Sequence, residues 1–226
     1  MNRKIDAVCF DVDGTLYSIR RMVLENLRAI WPMRATFREL HRVRDLLRLR
    51  EHPVEDFRQL QAERFALEHG GNVTQAMQRI EEVIEGSWMD LFAQGHVRSD
   101  EGMAVALRVL QTRGLRLALM SDYPIEEKPG GLGLADIDFS VCINAEDVGA
   151  LKPHPRPFLA VAEALDVAPG RILYVGDREA YDVEGALGVG MLAARIYRKK
   201  RPQTRALFAF KRWALLIRLM EWKRLI

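Results

Sequence analysis

The chain is poor in cysteine, in long apolar runs and in repetition. Two cysteines occur in 226 residues, Cys9 and Cys142. Both sit inside apolar stretches, so buried structural thiols are expected rather than a disulfide framework, a thiolate metal site or a cysteine nucleophile. Such usage fits a reducing compartment. No 18-residue stretch is free of charge, which excludes an ordinary membrane-spanning helix. The opening residues Met1 to Asp6 lack the apolar core of a secretory signal, so a cytoplasmic location is expected, peripheral on a membrane if the tail binds lipid. No internal repeat or low-complexity segment is present. Acidic residues are scarce at the C-terminal end. Residues 198–226 carry ten Lys/Arg and only Glu221, a charge of +9, while the other 197 residues sum to −6. The sequence pI of about 9.0 therefore belongs to the tail.

What is present suits a sizeable core: 49% of residues are hydrophobic and 29% charged. Short apolar runs at 5–10, 115–120, 139–143, 171–175 and 190–196 read as strands buried on both faces, or nearly so. Helical patterns at 100–113, 123–134, 155–166 and 179–187 separate the last four. Alternating strand and helix predicts an α/β fold with a doubly wound parallel sheet. The interval 17–96 has no convincing strand. Met22/Val23/Leu27/Ile30, Leu40/Val43/Leu46/Leu47, Phe57/Leu60/Phe65/Leu67 and Val83/Ile84/Trp88/Leu91 recur at helical spacing, punctuated by Pro32, Pro53 and Gly70-Gly71. This predicts an all-helical insert of about four helices after the first strand.

Four places carry candidate chemistry. Asp11-Val12-Asp13-Gly14-Thr15 puts two carboxylates where a buried strand enters a tight turn, the carboxyl end at which parallel sheets keep reactive groups. Read plainly, the same carboxylates cap turn amides. Ser121 ends the second strand and is either a phosphoryl-oxygen ligand or a cap. Lys152, in Ala150-Leu151-Lys152-Pro153-His154-Pro155, has a constrained backbone. Its ammonium suits a carboxylate and a phosphate together, or it is a surface lysine. His154 reads as a helix-start residue. Gly176-Asp177 follows the fourth strand, and Asp182 falls in the first turn of the next helix, where it favours the helix dipole.

These four elements, in order at the ends of four parallel strands, resemble the haloacid dehalogenase-like hydrolase superfamily, specifically members with a helical cap inserted after the first motif. The resemblance covers about residues 5–197. It implies a Rossmann-like core (1–16 and 97–200) and a helical cap (17–96). It also implies that Asp11 attacks phosphorus and that Asp13 protonates the leaving oxygen and then activates water. Ser121, Asp122 and Thr15 are expected around the phosphate, Lys152 offsets negative charge, and Asp182 orients the metal shell. Mg²⁺ is expected on the Asp11 side chain, the Asp13 carbonyl and the Asp177 side chain. Asp13 favours phosphoryl chemistry, because the dehalogenases of the superfamily have no acid at that position. Two departures stand out. Asp122 occupies a place where relatives often have Asn, adding negative charge near the substrate. Arg178-Glu179 follows Asp177 where a small hydroxyl residue is common.

The implied activity is a Mg²⁺-dependent phosphatase for a small phosphorylated metabolite. A phosphotransferase or mutase of the same superfamily is the alternative, and a non-catalytic membrane- or partner-binding module another. Residues 20–50 hold nine arginines against three acids. Most read as a solvated face, with Arg20 and Arg21 the ones placed to meet an anionic substrate. The tail, 201–226, lies outside the pattern. As one helix, 205–226 would span about 33 Å, with apolar residues on most sides and cationic heads. That suits an interfacial helix on anionic lipid, or docking on the chain's own core or on a dimer partner. No nucleic-acid module is recognised.

Overall fold

The computed structural model describes residues 5–226; Met1 to Lys4, which open the expected 1–16 segment, lie outside the described residues. Six strands form one sheet: β1 (Ala7–Asp11), β2 (Arg116–Ser121), β3 (Phe139–Asn144), β4 (Ile172–Gly176), β5 (Leu192–Ile196) and β6 (Phe208–Phe210). Their order is β3-β2-β1-β4-β5-β6 and every neighbouring pair is parallel. This is the doubly wound arrangement expected of a Rossmann-like sheet. Its strand order reverses beside β1, so a crevice opens at the carboxyl ends of β1, β2 and β4.

The strand runs are apolar at nearly every position because both faces are covered. Val8, Phe10, Leu117, Leu119, Leu173 and Val175 point to one side. Cys9, Ala118, Met120, Ile172 and Tyr174 point to the other. β3 departs from this. It is an edge strand whose residues alternate between half-buried and exposed, so the expected two-sided burial fails there. Cys142 is exposed for the same reason, and only Cys9 is the buried thiol anticipated from sequence.

Between β1 and β2 the chain is helical, as anticipated, but in more pieces. These are α1 (Ile19–Glu25), α2 (Leu27–Ile30), α3 (Arg34–Leu47), α4 (Phe57–His69), α5 (Val73–Val83) and α6 (Asp90–Ala93). Local chemistry sets the boundaries. Asp56 accepts from Gln59 N to cap α4, and Asn72 with Gln75 forms a reciprocal capping box on α5. Pro32 sits in a tight turn before α3, and a wider turn at Ile84–Met89 separates α5 from α6. Leu27, Leu46 and Leu67, expected in the apolar stripes, are exposed.

The remaining helices are α7 (Met103–Thr112), α8 (Lys128–Gly131), α9 (Pro155–Leu165), α10 (Glu184–Gly188) and α11 (Trp213–Trp222). The helix expected over 123–134 shrinks to the four residues of α8. His154 starts α9, its ring accepting from Arg156 N.

The tail is not one helix. Phe208 and Phe210, two apart, are the buried positions of β6, which extends the sheet beside β5. Trp213, Leu216 and Met220 form the buried stripe of α11, which packs on α7. Trp213 lies 6.0 Å from Phe10 and 5.7 Å from Phe210, ring centre to ring centre. The apolar residues assigned to a lipid face are thus divided between a strand and a helix, both docked on the chain's own core. Among the described residues no helix is long and apolar enough to cross a membrane.

Candidate active site

Asp11 is the last residue of β1, and the chain must then turn sharply. Gly14 does so at φ +99°, and a Cβ there would lie 2.9 Å from Asp177 Oδ2. Glycine is therefore required twice, for backbone conformation and for close approach. Thr15, fully buried, donates its hydroxyl to Asp11 Oδ2 at 2.7 Å. Lys152 Nζ donates to Asp11 Oδ1 at 2.5 Å, Asp182 Oδ1 at 2.8 Å and the Tyr174 hydroxyl at 3.2 Å. Burial opposes a charge on Lys152, but Asp11 and Asp182 outweigh it and hold its pKa well above the usual lysine value.

The second carboxylate has a different environment. The Tyr17 hydroxyl donates to Asp13 Oδ1 at 2.6 Å. Ser121 Oγ at 2.7 Å and Lys128 Nζ at 2.6 Å share Oδ2. Lys128 also reaches Ser121 Oγ at 2.9 Å. Burial pushes the Asp13 carboxyl up, but the charge and hydrogen bond of Lys128, with those of Tyr17 and Ser121, outweigh it and hold the pKa below normal. Asp11 goes the other way. Burial, with the negative charges of Asp182 and Asp177, raises it well above the carboxylate range against the pull of Lys152. Burial and Asp182 likewise push Asp177 up to about 6.

One oxygen each of Asp11, Asp177 and Asp182 lie within 4.8 Å of one another. Asp182 is saturated: Oδ2 accepts from the amides of Asp177 and Arg178 at 3.1 and 2.9 Å, and Oδ1 faces Lys152. Its nearness to Gly176, where a Cβ would meet Asp182 Cβ at 2.3 Å, keeps those amides in reach. Asp177 Oδ1, by contrast, is buried with no hydrogen-bond partner among the described residues. A buried carboxylate oxygen left open, among clustered carboxylates, fits a divalent cation with oxygen ligands. Both Asp182 oxygens already have donors, unlike Asp177 Oδ1.

Thr15 and Ser121, expected to hold phosphate, direct their hydroxyls to Asp11 and Asp13, because two buried carboxylates draw the nearest donors. Asp122 lines the cleft with its charge already engaged. Its Oδ2 accepts from Arg48 Nη1 at 2.6 Å and its Oδ1 from Lys152 N at 3.1 Å, so its charge is paired and not directed at a ligand. Glu179 faces Arg195, not the cleft. Arg20 is exposed and does not line the cleft. Arg21 instead binds the carbonyls of Arg98 and Ser99 where the insert rejoins the core.

The arginines that matter are Arg44, on α3, and Arg48, which caps its C-terminal end. Arg48 crosses from the insert to Asp122 and the Lys152 carbonyl. Arg44, wholly buried, reaches Glu146, Gln61 and the Asp122 carbonyl. With Phe37, His41 and Trp88 of the insert, Arg48 walls a cleft of about 310 Å³ whose floor includes Asp11, Asp13, Lys152 and Asp177.

Sequence reasoning missed Lys128, Tyr17, Tyr174 and Arg198. Arg198, counted with the basic tail, donates to the carbonyls of Gly14, Thr15 and Tyr17 and pairs with Asp100. It clamps the loop after β1 to the chain returning from the insert. Lys128 had a weak signal, as a lysine seven residues after the strand-end Ser121. Nothing local marked the others.

Residues 5–190 match the haloacid dehalogenase-like hydrolase family. Phosphoglycolate phosphatase of Escherichia coli (strain K12) is 40% identical over 90 residues, 39% of this chain and 35% of that protein. The match thus spans about a third of the relative's length. Pyrophosphatase PpaX of Bacillus cereus (strain G9842) is 24% identical over 199 residues, 85% of this chain and 83% of the relative. Among solved structures, an HAD phosphatase from Thermococcus onnurineus aligns over 96% of this chain and 98% of its own, with a TM-score of 0.63 at 24% identity. That likeness concerns the fold. The family match spans most of the chain and includes every strand-end acid and Lys152, so the chain belongs to the haloacid dehalogenase-like hydrolase family.

Proposed function

We propose that the protein is a phosphatase hydrolysing a small phosphomonoester through an aspartyl-phosphate on Asp11. One observation carries the reading. Two carboxylates two residues apart sit in opposite environments at the strand-order reversal, Asp11 against Lys152 and the acid cluster, Asp13 against Lys128, Tyr17 and Ser121. Such divergence separates nucleophile from acid/base.

In the first half, an Asp11 oxygen attacks phosphorus as the bond to the leaving oxygen breaks. The leaving oxygen keeps the electron pair and takes a proton from Asp13. In the second half, water gives a proton to Asp13 and attacks the same phosphorus, releasing phosphate and the Asp11 carboxylate. Lys128 and its partners favour the ionised Asp13 of the second half. An arriving phosphate dianion raises its proton affinity for the first. Lys152 stabilises negative charge on the transferring group. Asp11, Asp177 and the Asp13 carbonyl would hold Mg²⁺, which supplies the positive charge that lets a carboxylate meet a phosphate. The helical insert acts as the cap that excludes water and meets the leaving group.

The phosphatase names of the E. coli and B. cereus relatives support this reading. Its test is hydrolysis of p-nitrophenyl phosphate and a phosphomonoester panel, with and without Mg²⁺, beside Asp11→Asn. Turnover that needs both Asp11 and the cation is expected. No turnover above that of the variant on any substrate overturns the proposal, and transfer of phosphate to a sugar hydroxyl in place of water redirects it to a phosphotransferase.

A further inference from the structure

We propose that the leaving group is an uncharged, ring-bearing alcohol rather than a small carboxylated one. This rests on the phosphatase reading above and concerns the same cleft. Beyond the phosphoryl end, the walls are Ile19, Phe37, Trp88 and Tyr123, all half-buried and so presenting part of their surface to the cleft. Phe37 and Trp88 meet edge to face at 5.3 Å, a geometry that fixes both rings. Tyr123 is held by the Arg44 guanidinium, 4.1 Å from its ring centre, and by His41 Nδ1, 3.3 Å from its hydroxyl. These aromatic faces are therefore held in place before a ligand arrives.

The charges point the same way. Three cationic side chains line the cleft. Lys152 is bound to Asp11 and Asp182 on the floor. Arg48 lies between Asp122 and the Lys152 carbonyl. Arg178 is exposed at the rim, with its guanidinium over the Tyr181 ring at 5.5 Å. Asp45, largely exposed, adds an acid at the same rim near Arg48. Partial burial and the Arg44 guanidinium push the His41 pKa down, which disfavours a charge on that imidazole. A carboxylate on the leaving group would enter a chamber whose inner cations, Lys152 and Arg48, are already paired and whose mouth carries Asp45 beside Arg178. A flat uncharged ring would cover the half-buried apolar walls of the cleft. At about 310 Å³ the cleft also falls at the lower end of small-molecule sites, which run from about 300 to 1,000 Å³.

The test compares kcat/KM of the full chain, with Mg²⁺, for benzyl phosphate, propyl phosphate and 2-phosphoglycolate. All three release a primary alcohol, so leaving-group reactivity is similar and recognition decides. Benzyl phosphate is expected to exceed propyl phosphate by about tenfold or more, and 2-phosphoglycolate by a wider margin. Phe37→Leu and Trp88→Leu, which keep apolar bulk, are expected to narrow the benzyl-to-propyl ratio to about threefold or less, with denaturation midpoints confirming that each variant is folded. A preference for 2-phosphoglycolate, no preference among the three, or a ratio that neither variant moves overturns the inference and leaves the phosphatase reading standing. Absence of turnover on these substrates and on the wider panel overturns both.

Discussion

On the floor of the cleft, Asp11, Asp13, Asp177 and Asp182 crowd against Lys152 and Lys128, and both oxygens of Asp11, Asp13 and Asp182 have a named donor. Across from it, the helical insert offers Phe37, Trp88 and Ile19, which touch apolar space, and Arg48, which is already paired. The floor comes from strand ends and the turns beside them, where the sheet fixes position to a fraction of an ångström. The insert's wall comes from amphipathic helices held by side-chain contacts. The difference separates two tasks. On the proposed function, the floor handles a chemistry that every phosphomonoester shares, while the wall meets the part in which substrates differ.

The largest effect should come from the floor. Lys152→Met leaves Asp11 and Asp182 buried without their cation. It should lower turnover by about 10³-fold or more and destabilise the fold by about 3–5 kcal/mol, read by turnover and urea denaturation. A variant that keeps wild-type turnover would remove the floor's claim to the chemistry. Next comes the support beneath it. Trp213→Ala should cost about 3–5 kcal/mol of stability, because the ring is 1% exposed against Phe10 and Phe210. For the same reason deletion of 201–226 should fail to give a stable fold, the opposite of what a free lipid-binding helix would allow.

The joint between floor and insert is Arg48–Asp122. Burial raises the Asp122 carboxyl, but Arg48, then Lys152 and Arg44, outweigh it and hold the pKa below normal. A lowered folded pKa stabilises fully above the unfolded value, about 3.9, and that contribution is lost as pH falls through the folded value. Arg48→Ala should therefore destabilise by about 3 kcal/mol at pH 7, and the gap from wild type should close below about pH 4. A gap independent of pH would mean that Arg48 acts by packing alone. The smallest effect belongs to Arg20→Ala, within about 0.5 kcal/mol in stability and under about twofold in kcat/KM, a change of about 0.4 kcal/mol. A larger loss would return Arg20 to the site.

The sheet and the floor were legible in sequence because both are local. Apolar runs mark strands, and Asp11, Asp13, Ser121, Lys152, Asp177 and Asp182 each sit within a few residues of a strand end or a proline-bound turn. Arg48 and Arg198 were not legible, because they act across 74 and 184 residues of chain, and Lys128 left only a weak signal, because its Asp13 contact spans 115. The tail misled for a related reason. Phe208 and Phe210 at strand spacing followed by Trp213, Leu216 and Met220 at helical spacing look, when merged, like a helix apolar all round. The turn between them and the vacant edge of β5 are tertiary facts.

The central claim is that Asp11 carries the phosphoryl group. Acid quenching during steady turnover of benzyl phosphate with Mg²⁺, followed by peptide mass spectrometry, tests it most directly. A phosphoryl adduct on Asp11 is expected, absent from Asp11→Asn, whose turnover is lost. Undiminished turnover by Asp11→Asn, with no adduct on the wild-type peptide, would contradict it.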